Sequence, residues 1–240
     1  MTATVSVALP VYNGALYLAE QLDSILQQLE SGDEIIAAYQ PSEDDSLSIL
    51  QAYHAKDPRV KIIYNQGRGI TSNFDEAICH CSGDVIFLSD QDDIWLPNKR
   101  QVVVDAFART GADLIIHNAV HTDAQLRRQE HTFFEIYPIG PGKWKNIKKP
   151  RMSGCCMAFT SIMRDKLLPL PEIYGYDQWI AVLAEFTGKI VYLDDVLLLH
   201  RLHGENSTTS TRRLSLVLRC RAKLLCFLAL RLCRIRLRGT

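Results

Sequence analysis

The chain has 240 residues, 47% hydrophobic and 22% charged, the make-up of one large α/β domain or two small ones rather than a disordered or fibrous chain. Its 27 basic and 27 acidic side chains cancel, but nine of the basic ones lie between Arg212 and Arg238 with no acid among them, leaving 18 against 27 elsewhere. An acidic body excludes a general nucleic-acid binder, and the lack of any run of about 18 apolar residues argues against a membrane-crossing helix.

Val5 to Leu9 reads as a first strand ended by Pro10, without the basic leader and long apolar core of a signal peptide, so a cytoplasmic location is expected. Asn13-Gly14 turns into a helix over Ala15 to Leu29, where Leu16, Ala19, Leu22, Ile25, Leu26 and Leu29 recur at helical spacing. Glu34 to Tyr39 is a second strand. A helix follows over Ser46 to His54, with Ser42 or Asp44 as its cap. Val60 to Tyr64 is a third strand, Thr71 to Cys79 a helix, and Val85 to Leu88 a buried strand. Lys99 to Arg109 is expected to be helical and Leu114 to His117 extended. From His121 to Lys149 aromatics stand among glycines and prolines with little periodicity, as in an irregular segment lying over a site. Ser153 to Phe159 reads as a buried strand, Asp177 to Phe186 as a helix and Lys189 to Leu193 as a short strand. Residues 1–211 are expected to form the main domain and 212–240 a basic amphipathic helical tail. The seven cysteines have neither zinc-ribbon nor CxxC spacing, and are expected to be small buried hydrophobes in a reducing compartment.

Repeated strand, loop and helix units of this size require an open, mostly parallel sheet with helices on both faces. Ligands bind such sheets beyond the carboxyl ends of the strands. The loops carrying Tyr12-Asn13, Tyr39 to Asp45, Asn65 to Gly69 and Asp90 to Asp93 all leave those ends, and the active site is expected there. The acidic loop is the sharpest signal. Asp90, Asp92 and Asp93 follow a buried strand, and like charges so close repel one another unless a cation joins them. Hard carboxylate oxygens suit Mg²⁺ or Mn²⁺, which commonly share their ligands with substrate phosphates. A solvated acidic loop is the plainer alternative. Likewise Tyr12-Asn13-Gly14 also fits a simple turn, Asn65 and Gly67 a tight connection, Asp177 a helix cap and His203 an ordinary loop histidine.

Several stretches resemble the family 2 glycosyltransferases of GT-A fold, in particular their rhamnosyltransferase-like members. These are Val7 to Gly14, Asn65-Gln66-Gly67 with Asn73-Phe74, Gly83-Asp84, and Ser89-Asp90-Gln91-Asp92-Asp93-Ile94-Trp95 with Pro97 and Lys99. The series continues with Gly154 to Phe159, Tyr176-Asp177-Gln178-Trp179, and His200 to Gly204 with Asn206. The resemblance implies an inverting transferase that moves a sugar from a nucleoside diphosphate to a glycan or lipid-linked acceptor in bacterial surface polysaccharide synthesis. It implies donor contacts from Pro10, Tyr12, Asn13, Tyr39, Gln40, Asn65, Gly67, Asn73, Asp90 and Gln91. It also implies a Mn²⁺ or Mg²⁺ ion on Asp92 with Asp90 and His203, and Asp177 as the base.

The chain departs from the family where an acidic pair usually follows the second strand, for Tyr39-Gln40 stands there. A charge-assisted bond to the nucleobase is thereby lost, which leaves dTDP-L-rhamnose and UDP-sugars both open as donors. It also keeps open a catalytically degenerate domain that binds a nucleotide sugar or glycan for a partner enzyme. Residues 131–145 are expected to act as a lid, and Arg201 or Lys99 to contact the diphosphate. The tail, with leucines between arginines, suits either the anionic inner face of the cell membrane or packing onto the body or a second subunit.

Overall fold

The computed structural model describes residues 3–148, 152–171, 175–204 and 214–238, with side chains from 220 to 237 in the last stretch. The boundary expected at 211/212, Asn206 and the side chains of Arg212 and Arg213 lie outside the described residues. Four strands, β1 (Val5–Val11), β2 (Glu34–Tyr39), β3 (Val60–Tyr64) and β4 (Val85–Leu88), pair in parallel in the order β3-β2-β1-β4. Every residue of β1, β2 and β4 is buried, which is why they read as continuous apolar runs. Helices α1 (Leu18–Leu26), α2 (Ser46–Lys56) and α3 (Ile70–His80) connect them.

Pro10 does not end β1. The strand runs on to Val11, with Pro10 in register with Ala38. β4 has already ended opposite Ala8, so the nitrogen of Pro10 faces a side with no strand left to receive a donor. The first helix begins later than its apolar spacing suggests, at Leu18, because two amides in the preceding turn close on the Gly14 carbonyl. Leu16 is consequently 78% exposed and lies outside the buried stripe of Leu18, Gln21, Leu22 and Ile25.

The second half of the sheet holds most of the departures from expectation. After the two-residue β5 (Ile94–Trp95) and α4 (Lys99–Thr110), β6 runs from Leu114 to Thr122, five residues beyond the expected end. β7 (Arg128–Thr132) pairs back on β6. Two short helices, α5 (Phe133–Ile136) and α6 (Lys143–Lys148), occupy the stretch expected to be irregular. Residues 154–156 form a single 3-10 turn rather than extended chain, and β8 (Met157–Thr160) inserts antiparallel between β4 and β6. α7 (Ser161–Leu167) and α8 (Tyr176–Thr187) lead to β9 (Ile190–Arg201), which lies parallel to β6 and antiparallel to β5. Strands β1 to β4, β6 and β9 thus share one direction, and the mixed sheet is mostly parallel as expected.

α8 is apolar all round from Trp179 to Ala184 because α6, α7 and the tail helix α9 (Leu214–Arg238) cover it. Of the cysteines, Cys81, Cys155 and Cys156 are buried as expected. Cys79, Cys226 and Cys233 are exposed, and so are not core residues.

One buried charge clamps the parallel half. Glu34 accepts from Ser6 Oγ (2.6 Å), Ser82 N (2.7 Å), Ser82 Oγ (2.8 Å) and Lys61 Nζ (2.6 Å). Burial alone raises its pKa, but these donors outweigh it and hold the carboxyl down at about 2. The charged form is therefore favoured by folding above the ordinary glutamate pKa, and that stability is lost as pH falls towards 2. Glu34→Gln should lower stability by up to about 3 kcal/mol at neutral pH. The difference from wild type should close below pH 3 in urea titrations, and an unchanging difference would contradict this account.

Candidate active site

The loops leaving β1 to β4 are bound to one another before any ligand is considered. Gln91 forms a two-point clamp on Tyr12, its Oε1 accepting from the Tyr12 amide and its Nε2 donating to the Tyr12 carbonyl, both at 2.9 Å. The clamp occupies the space over Gly14, where a Cβ would stand 2.3 Å from Gln91 Oε1. Gly14→Ala is thus expected to displace the Gln91 amide at a cost of about 1–2 kcal/mol, the worth of two neutral hydrogen bonds. Gln91→Ala should cost the same and the double variant no more, since both remove one interaction. Additive losses in thermal unfolding would refute the coupling.

Asn13, held at a φ of 47°, donates its amide to Ser42 Oγ (3.0 Å) and accepts from Glu43 N (2.9 Å). Asn65 donates to Asn73 Oδ1 (3.1 Å) and accepts from Gly67 N (2.8 Å), while Asn73 donates to the Val11 carbonyl (3.3 Å). A Cβ on Gly67 would collide with Ser72 Oγ. Asn13, Asn65, Gly67 and Asn73 therefore sit at the expected edge, but they serve there as the braces of the loops.

Tyr39 is buried, its hydroxyl accepting from Ser42 N (3.0 Å), and its ring meets Tyr64 edge-on at 5.9 Å. Tyr64 is 55% exposed, and with Tyr12 it supplies the open aromatic faces at this edge. Gln40 directs Oε1 at Gly69 N (3.2 Å). Nor does Asp44 replace the missing acidic pair. Burial raises its pKa, but the Ser46 hydroxyl, the Ala15 amide and the Ser46 amide together hold it below the carboxylate range, with both oxygens engaged.

The acidic loop rests on the buried face of α1, where Gln21 Nε2 donates to Ser89 Oγ (2.7 Å) and to the Asp90 carbonyl (2.8 Å). Asp92 Oδ2 meets His203 Nε2 at 2.7 Å, both side chains partly open to solvent. Burial, together with the charges of Asp93, Asp92 and Asp177, pushes the pKa of Asp90 well up. Burial and Asp92 do the same to Asp93, whose Oδ2 has no hydrogen-bond partner among the described residues. Beneath them Lys99 is buried rather than on the helix surface. Its Nζ donates to the Cys155 carbonyl (3.1 Å) and lies 4.4 Å from the centre of the Trp95 ring. Burial lowers its pKa to about 8 although Cys156, Cys155, Asp93 and Asp90 pull the other way. Arg201 is likewise engaged with the protein. It contacts the Asp92 carbonyl (2.9 Å), the Ala124 carbonyl (2.9 Å) and Glu20 (2.5 Å), and its guanidinium covers the Tyr17 ring.

Asp177 stands in the first turn of α8. The preceding Tyr176 packs on Phe74 at 4.2 Å between ring centres and reaches over Gly154, where a Cβ would stand 2.3 Å from its hydroxyl. That packing fixes the start of α8, and the charge of Asp177 there helps raise the pKa of Asp90. Burial raises its own pKa to about 6, against the pull of the Gln178 amide at 2.7 Å. The segment expected as a lid is anchored to the same helix. Glu185 accepts from Gly142 N (2.8 Å) and Asn146 Nδ2 (3.0 Å), and Gln178 donates to the Asn146 carbonyl (2.7 Å). The segment is thus tied to α8 at Gly142 and Asn146.

Two donor sets are available to a cation. Asp90, Asp93 and Cys155 present atoms all within 4.8 Å of one another, but they surround a lysine, and burial and Cys156 keep the Cys155 thiol protonated. Asp92 and His203 combine a hard carboxylate with an imidazole at the open side, where a phosphate can arrive. The excess negative charge around them is what a divalent ion would satisfy, and this set fits one.

An edge of parallel strands with braced loops, exposed tyrosines and an acidic mouth is the ligand-binding edge of an α/β fold. The chain belongs to glycosyl transferase family 2, whose family model matches residues 6–168. It is 26% identical over 221 residues to an uncharacterized glycosyltransferase of Nostoc sp., covering 86% of this chain and 67% of that protein. Its fold is GT-A. It matches Staphylococcus aureus TarS in complex with UDP-GlcNAc (TM-score 0.71, 17% identity, 88% of this chain, 62% of that one). It also matches the mannosyltransferase PcManGT of Pyrobaculum calidifontis in complex with GDP-Man and Mn²⁺ (TM-score 0.66, 20% identity, 86% and 59%). The chain thus spans about two thirds or less of each of these three proteins.

Proposed function

We propose that this domain transfers a glycosyl group, with inversion, from a nucleoside diphosphate sugar to a hydroxyl of a glycan in surface polysaccharide synthesis. The observation that supports the reading is the meeting of Asp92 with His203 beside Asp90, on which the charge of Asp177 also bears. TarS and PcManGT, which share the fold, are seen with UDP-GlcNAc and with GDP-Man and Mn²⁺ respectively, and this supports the same ligand class.

Asp92 and His203, with Asp90 behind them, would hold Mn²⁺ or Mg²⁺. When bound, such an ion neutralises the diphosphate and eases its departure. Asp177 takes the proton of the acceptor hydroxyl as that oxygen attacks the anomeric carbon and the bond to the diphosphate breaks on the opposite face. Tyr12 and Tyr64 offer their faces to the nucleobase, and Gln40 its amide. The anchored segment from Gly142 to Asn146 helps keep water from the donor.

Thermal unfolding with UDP- and dTDP-sugars, dTDP-L-rhamnose included, tests the reading. At a hundred times its Kd the true donor should add about 2.7 kcal/mol and raise the midpoint by several degrees, only with Mn²⁺ or Mg²⁺ present. Indifference to every donor would sink it. One observation favours a second reading, a degenerate domain that binds sugar without transferring it: Asp44, close behind the position of the family's acidic pair, has both oxygens engaged. Donor binding without turnover across acceptors would select that reading.

A further inference from the structure

The tail helix contradicts its expected sorting into a basic face and an apolar face. Its inner side docks on the body through Leu224 and Leu228, and Arg231 caps the loop after α7, donating to the carbonyls of Lys166 (3.0 Å), Leu168 and Pro169 (2.9 Å). An arginine expected among lipid headgroups is therefore turned inwards. What remains outside is mixed. Lys223, Arg234 and Arg236 are exposed with no ion pair among the described residues, and Leu225, Phe227 and Leu230 (59% exposed) are exposed between them. A groove of about 300 Å³ opens beside them, lined by Pro169, Pro171, Trp179, Phe227, Leu230 and Arg234.

We infer that this outer face of α9 lies on an anionic lipid bilayer, with the three cations among headgroups and Phe227 and Leu230 seated below them. Three features select a bilayer. The helix carries seven Lys or Arg and no acid from Leu214 to Arg238, and Lys223, Arg234 and Arg236 form no ion pair among the described residues. Phe227 and Leu230 lie on the same exposed side as Lys223 and Arg234, within about 60° of one another at 3.6 residues per turn, as surface-lying helices require. And no helix among the described residues is long and apolar enough to cross the membrane, so the face can only rest on it. A second copy of the chain is a poorer occupant, because a two-fold pairing of this face sets lysine and arginines against their own images. α9 packs directly on α8, and Trp179 of the groove stands two positions after Asp177. The bilayer would thus adjoin the helix that carries the proposed base, the position a lipid-linked acceptor requires.

Co-sedimentation of the whole chain with phosphatidylcholine vesicles, with and without phosphatidylglycerol, tests this with no donor present, so its outcome is independent of the transfer reaction. Wild type should bind the anionic vesicles and leave the neutral ones, and rising salt should weaken the binding. The triple variant K223E/R234E/R236E should lose about a hundredfold in partitioning, since each basic residue near such a surface contributes about a factor of five. Phe227→Ser with Leu230→Ser should weaken binding in a salt-insensitive way. Circular dichroism and the unfolding midpoint identify any variant that misfolds, and the salt dependence of wild type needs no variant. Equal binding to both vesicle types, salt-insensitive binding of wild type, a folded triple variant that binds normally, or α9-dependent dimers in place of vesicle binding would each overturn the inference.

Discussion

Asp92→Ala is expected to reduce kcat/KM by about a thousandfold and to abolish the part of donor binding that depends on Mn²⁺ or Mg²⁺. The expectation follows from position. Asp92 is the carboxylate of the loop that faces solvent beside an imidazole, while Asp93 is turned inwards to the Arg201 amide (3.1 Å) above Lys99. His203→Ala should cost less, about tenfold to a hundredfold in apparent metal affinity, because a water molecule can take the place of one imidazole. Asp93→Asn supplies the contrast. It removes an inward charge that burial already disfavours, so the metal requirement should survive. Activity is to be followed against Mn²⁺ concentration, with the unfolding midpoint as a control. A metal titration unaltered by Asp92→Ala would remove the basis of the proposed chemistry.

Asp177→Asn should lower kcat by a factor of about 10² to 10⁴, leaving donor binding intact, because the amide cannot accept the acceptor's proton. Wild-type kcat should fall as pH drops through about 6, where the carboxylate protonates, and that limb should be absent from the residual activity of the variant. The same burial has a stability signature of opposite sign to that of Glu34. A raised carboxyl pKa means that folding disfavours the charge, so the penalty grows above the ordinary aspartate pKa and levels off beyond about 6. Asp177→Asn should therefore be more stable than wild type at pH 7 and above, by up to about 3 kcal/mol, and no more stable near pH 4. A loss of activity together with a loss of stability at neutral pH would mark Asp177 as a structural cap instead.

The parallel half of the sheet was legible because its strands are buried on both faces and its loops carry turn residues. β1 to β4 begin and end within about two residues of the sequence reading. The second half was not, and the reason is polar chemistry inside strands. His117, Asn118 and His121 interrupt β6, and Asp194 and Asp195 interrupt β9, hiding two long partners whose register also shifts around Asn118. The edge holding the site followed from topology, and Asp90, Asp92, Asp177 and His203 came from family motifs that the fold brings to one place. What sequence did not disclose is the division of labour. Gln91, Asn13, Asn65 and Asn73 brace loops, and Arg201 staples the last strand to the acidic loop. Lys99 is expected at the diphosphate, and helical spacing does not reveal that a carbonyl and an indole hold its ammonium instead. A polar Gln21 amid Leu18, Leu22 and Ile25 was the one readable hint that the buried face of the first helix meets something other than the core.

The sheet closes through its latest strand. β9 completes the pairing of β6, is the only partner of β5 among the described residues, and ends in Arg201, two residues before His203. In a chain made from its amino terminus, the carboxylates of the acidic loop leave the ribosome more than a hundred residues before the imidazole that faces them. Pairings so distant in sequence form slowly. A nascent chain therefore holds an acidic loop without its facing imidazole until synthesis has passed position 203, and cleavage just ahead of Arg201 would return the finished molecule to that immature condition.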